Sequence, residues 1–158
     1  MKQLSKHITE ALKIGSKSKV NQKHYHPKEK WELRDIIKQL LNERGYDADL
    51  NDIDTSEIKD MSHLFTNGVF LNFDGNISEW NVSNVKFMNN MFSDSDFTGN
   101  NGDISNWKTN NVVNMDEMFW GCKKLNININ KWDVSNVKSM KNMFTYAPIK
   151  CRPSWYKK

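Results

Sequence analysis

The sequence predicts an α/β repeat fold: a short solenoid of strand-plus-short-helix coils with an N-terminal amphipathic capping helix. Three observations predict it. A motif recurs, as WNVSNVKFMNNMF at 80–92, WKTNNVVNMDEMF at 107–119 and WDVSNVKSMKNMF at 132–144. Aligned on the closing phenylalanines, Phe65, Phe92, Phe119 and Phe144, the copies are 27, 27 and 25 residues apart, a period typical of stacked repeats. Within a copy the apolar spacing changes from two (Trp80, Val82) to three (Met88, Met91). That change reads as a strand followed by one helical turn.

The elements follow in order. Leu4, Ile8, Ala11 and Leu12 have helical spacing over 4–14, enough for a short helix that is marginal alone. GSKSKVNQKHYH has no period and reads as an extended basic arm, so residues 1–26 form the first segment. Over 28–44, Leu33, Ile36, Ile37, Leu40 and Leu41 make one stripe with Trp31 at its edge. Pro27 suits the first helical position and Gly45 the stop. This capping helix and its connection occupy 27–49. The repeats occupy 50–147. Each copy carries an isoleucine before its tryptophan (Ile77, Ile104, Ile129) and a methionine pair before its phenylalanine (Met88/Met91, Met115/Met118, Met140/Met143). One copy cannot bury its apolar face alone, and stacking like residues on like residues can. Residues 148–158 would close the last copy through Pro148, Pro153, Trp155 and Tyr156.

Composition agrees with a packed core. Hydrophobic residues are 37% of the 158 and mean hydropathy is −0.77, values that taken alone lean toward disorder. Six Trp, eight Phe and eight Met at regular spacing outweigh them. The net charge of +4 divides into +6 over 1–45, −6 over 46–149 and +4 over 150–158. The N-terminus has no apolar signal core, and no stretch nears a membrane span of roughly 20 residues. Two cysteines make no disulfide framework. A reduced, cytosolic protein is expected.

The motif W-x-V-S-N-V-x-x-M-x-x-M-F, preceded by G-[DN]-I-S-x-W, stands here as GNISEWNVSNVKFMNNMF and GDISNWKTNNVVNMDEMF. It resembles the BspA-like leucine-rich repeat of bacterial surface proteins and mycoplasma lipoproteins, over about residues 50–147. The resemblance implies a right-handed solenoid with a parallel strand face used for binding. HYHPKEKWELRDIIKQLL with LNDIDTSEIKDMSHLF looks like the short unsecreted members carried by phages and prophages. Thr109, Asn110, Leu125-Asn-Ile127-Asn and the insertion DSDFTGNN depart from the pattern.

Little in the chain suggests chemistry. Asp94, Asp96, Thr98 and Gly99 match the first half of an EF-hand loop, but its last ligand position is Ser105. His7, His24 and His26 lie in the basic arm with no cysteine pair to complete a zinc site. His63 takes a variable, exposed position. Cys122 reads as a small core residue without a base beside it. No catalytic residue, cofactor or metal is expected.

The expected function is a non-enzymatic protein–protein interaction module, phage- or prophage-encoded. Its contact residues would point outward from the strand face: Asp52, Asp54 and Ser56; Glu79, Asn81 and Ser83; Asn106, Lys108 and Asn110; Lys131, Asp133 and Ser135. The alternatives are a phage structural or accessory component anchored by its arm, a nucleic-acid binder, and a surface-adhesin fragment. The arm would act through Lys2, Lys6, Lys13, Lys17, Lys19 and Lys23. The expected partner is a host or phage protein, with nucleic acid as the rival, no membrane, and self-association open.

Overall fold

The computed structural model describes residues 22–157. The short helix expected at 4–14, His7, and Lys2, Lys6, Lys13, Lys17 and Lys19 lie outside the described residues.

The closing phenylalanines form one column. Phe65, Phe92, Phe119 and Phe144 stack with centroids 5.2, 5.5 and 5.5 Å apart, and each is fully buried. Phe73 and Phe97 flank it, stacked at 4.2 Å on Phe65 and 4.3 Å on Phe92. Phe97 belongs to the insertion DSDFTGNN, so that loop is anchored in the core. A second column is made by the indoles, each donating to a carbonyl one copy back: Trp80 to Leu50, Trp107 to Ile77, Trp132 to Ile104 and Trp155 to Ile129, at 3.0–3.2 Å. A buried indole N–H needs an acceptor, and the repeat supplies one at the same place each time. A third series clips the surface: Asn84, Asn111 and Asn136 donate through Nδ2 to the carbonyls of Ser56, Ser83 and Asn110, each at 2.7 Å. The asparagine excess has this use.

The expected α/β repeat solenoid does not form. Among the described residues there is no strand and no sheet, only one α-helix, α1 at Lys30–Arg44, and 3-10 helices at Gly68–Asn72 and Ile149–Cys151. The backbone gives the reason. Every expected strand is broken by tight turns bonded three residues back. Trp80 N–H donates to Ile77 O, Val85 to Val82 and Met91 to Met88 at 3.0–3.2 Å, and the later copies repeat this. An N–H used in a turn cannot join a ladder. Asp and Asn side chains tighten other turns. Asn81 Oδ1 takes the Ser83 N–H, Asp103 that of Ser105 and Asp133 that of Ser135, at 2.8–3.1 Å. Pairing therefore survives as isolated parallel bridges, Asp60 to Phe87 to Asn114 to Ser139. The expected Met-x-x-Met helical turn fails as well, because its middle residue is left-handed: His63, Asn90, Glu117 and Asn142 have φ of 55–56°. The alternation of apolar side chains is real, but turns produce it.

The copies still hydrogen-bond to one another. Met88, Asn90, Phe92 and Asp94 donate their N–H groups to the carbonyls of Asn114, Asp116, Met118 and Trp120 at 2.7–2.9 Å. Thr109, the departure from valine, is buried and donates its hydroxyl to Asp133 O at 2.9 Å. Gly75 is required by close approach, since a Cβ there would lie 2.1 Å from the Ala48 carbonyl oxygen.

Helix α1 covers the first copy. It begins at Lys30, so Pro27 lies upstream of the helix and not at its first position. The Glu32 carboxylate accepts the N–H groups of Lys28 and Glu29 at 2.7 and 3.3 Å and fixes that start. Leu33, Ile37, Leu40 and Leu41 are buried, while Trp31 is 59% exposed. Lys30 pairs with Asp60 at 2.7 Å, and Arg34 lies 4.4 Å over the Phe70 ring and donates to the Leu64 carbonyl at 3.1 Å. At the far end, Trp155 extends the indole column and Tyr156 packs edge-on against Phe144 at 5.1 Å.

Candidate functional site

The residues between the indole column and the following turn form one polar face. Glu79, Asn81, Asn106, Lys108, Asn110, Lys131, Asp133 and Ser135 are exposed there, and Asp52, Asp54, Ser56 and Ser83 are half-buried. The alternation places Trp80, Val82, Trp107 and Thr109 inside between them. Successive copies leave shallow grooves. One, of about 350 Å³, is lined by Glu79, Asn81, Ser83, Asn106 and Lys108 with Trp80 and Trp107 at its floor. The next, of about 420 Å³, is lined by Asn106, Lys108, Asn110, Lys131 and Asp133. Asp54, Ser56 and Ser135 line neither.

A third groove of about 310 Å³ continues the row through Glu79 to Asn51, Asp52, Arg44 and His24. Arg44 holds Asp52 through two contacts of 2.9 and 3.1 Å. Hydrogen bonding to Asp52 raises the Arg44 pKa against the opposing effect of burial. Sequence reasoning missed Arg44 and His24, since the signal was only that α1 ends near the first copy.

The carboxylates on this face are partly structural. The Ser56 backbone N–H, 3.0 Å from Asp54 Oδ1, holds the Asp54 carboxyl below its usual range, and His26 approaches at 3.3 Å. Hydrogen bonds from Ser135 do the same for Asp133. Asn81 and Asp133 therefore close their own turns, at 81–83 and 133–135. Of the arm residues, Lys23 is described, and its ammonium is engaged with the Asn51 carbonyl.

The other candidates have structural surroundings. Thr98 donates its N–H and hydroxyl to Asp74 at 2.7 and 2.8 Å, and Asp96 pairs with Lys124 at 3.0 Å. No group of three His, Cys, Asp or Glu is placed to hold a metal among the described residues. Cys122 is fully buried with Sγ 2.8 Å from the Phe92 carbonyl oxygen, and burial pushes its thiol up to about 12. No described helix is long and apolar enough to cross a membrane.

Four tandem copies, clipped by side chains and capped by one helix, define a repeat protein whose grooves recur with the repeat. The chain belongs to the family described as "Mycoplasma protein of unknown function, DUF285", the BspA-like repeat family, whose model matches residues 29–153. No curated protein and no solved structure matches it.

Proposed function

We propose that this chain is a non-enzymatic module that recognises a protein partner across the grooved face from Arg44 to Asp133. The observation that carries the reading is the row of grooves. Three adjoin, the first two through Asn106 and Lys108 and the first and third through Glu79, and they present charges of both signs. Mixed charge on a grooved polar face suits the rim of a protein contact. The likeness of the N-terminal part to short phage and prophage members supports a phage- or prophage-encoded protein acting in the bacterial cytoplasm or virion. Lys23, docked on the Asn51 carbonyl, is counted with the face.

The test is capture from nuclease-treated host lysate, using the full chain, a chain starting at Gln22, and the full chain carrying Glu79→Arg, Lys108→Glu and Lys131→Glu. Starting at Gln22 keeps the pairing of Tyr25 with Ile53. The reading expects a protein retained by the first two and lost from the third. Loss on truncation would place recognition in the arm, and loss on nuclease treatment would favour nucleic acid.

A further inference from the structure

The last copy ends in an unfinished edge. At each internal junction a carbonyl and a set of N–H groups face the next copy. Lys86 O and Met88, Asn90 and Asp94 N–H meet the third copy, while Val113 O and Met115, Glu117 and Gly121 N–H meet the fourth, at 2.7–2.9 Å. The same register leaves the Lys138 carbonyl and the Met140, Asn142 and Tyr146 N–H groups with no backbone partner among the described residues. The C-terminal segment covers only the other half of this end, over Leu125, Ile129 and Phe144. Val134, Val137 and Met140 are left partly buried, whereas Val82, Val85, Met88, Val112 and Met115 are 0–1% exposed.

We propose that residues 138–146 form a docking edge for an acidic, extended peptide segment of a partner protein, lying parallel to it where a further copy would lie. Strand-like addition to an open edge uses main-chain bonds for affinity. Charge selects the occupant. No Asp or Glu follows Asp133, while Lys138, Lys141, Lys150, Arg152 and Lys157 do. The Arg152 Nε is buried without a partner beside its Phe144 contact. The aligned peptide groups also end here on their N–H side, which favours negative charge. At the opposite, carbonyl end the chain supplies its own cations, with Arg34 on the Leu64 carbonyl and Lys30 on Asp60.

A second copy does not fit. Its carbonyl end is closed by α1, and two of these edges facing each other would oppose N–H to N–H and lysine to lysine. A phosphate backbone offers no donor to the Lys138 carbonyl, and a peptide does.

The experiment titrates the ¹⁵N-labelled full chain with a blocked octapeptide of alternating Glu and Thr. The Met140, Asn142 and Tyr146 amides should shift and exchange more slowly. Lys138→Glu with Lys141→Glu should weaken binding about tenfold with the amide spectrum otherwise intact, while Lys59→Glu, at the equivalent exposed position of the first copy, leaves it unchanged. Shifts confined to other basic segments, unchanged affinity in the double variant, or equal shifts with octathymidylate would each overturn the proposal.

Discussion

Replacing Phe92 by alanine removes the second ring from the column joining the copies. Phe92 is fully buried and stacks on Phe65 at 5.2 Å, Phe97 at 4.3 Å and Phe119 at 5.5 Å. Its neighbours are held by inter-copy hydrogen bonds above and below, so the space cannot readily collapse. A Phe-to-Ala change in such a site costs about 3–5 kcal/mol. Against a total stability of about 5–15 kcal/mol that is a large share. In a chain of this size it lowers the Tm by about 6–20 °C. Phe92→Leu keeps most of the apolar volume but loses three ring pairs of about 0.5–1.5 kcal/mol each, so it should fall between wild type and alanine. Because repeats couple only to neighbours, the alanine variant should also broaden the transition as the first copies separate from the last. Urea and thermal unfolding, followed by tryptophan fluorescence and circular dichroism, read all three. A loss under about 1 kcal/mol for Phe92→Ala would refute the column as the main bond between copies.

Two further perturbations follow. Burial raises the Asp60 pKa, but hydrogen bonds from Lys30 and Ser62 outweigh it and hold the carboxyl below its ordinary value. Its stabilising effect is therefore full above the unfolded pKa of about 3.9 and fades as pH falls through the lower folded value. Asp60→Asn should cost about 0.5–1 kcal/mol at pH 7 for this half-exposed pair and flatten the acid limb of a stability–pH curve; an unchanged limb would count against that contact. With its thiol pushed up to about 12, Cys122 should resist alkylation at pH 8 in the folded chain and react in urea. Peptide mapping after iodoacetamide treatment checks this, and rapid native labelling would contradict its burial.

The packing was legible because side chains carry it. The phenylalanine register, the tryptophan series and the α1 stripe all follow from spacing, and the groove residues Glu79, Lys108, Lys131 and Asp133 sit at the exposed positions that spacing assigned. The backbone was not legible. Trp80-x-Val82 looks the same whether a strand or a chain of tight turns points both residues inward. The left-handed position is filled by His63, Asn90, Glu117 and Asn142, and only the asparagines hint at positive φ. Asn81-Val-Ser83 and Asp133-Val-Ser135 were the clearer signal, since Asp or Asn two residues before a serine marks a side-chain-closed turn. The open edge at 138–146 was hidden for another reason. Trp155 and Tyr156 promise a complete C-terminal cap, and their reach across half the last copy depends on a path that spacing does not give.

The most direct test of the account is the affinity of the captured partner for the full chain and for the variant carrying Glu79→Arg, Lys108→Glu and Lys131→Glu, measured by titration calorimetry. The account predicts at least a tenfold loss, roughly 1.4 kcal/mol or more, with unfolding of the variant unchanged. Equal affinity in a folded variant would contradict recognition by the grooved face.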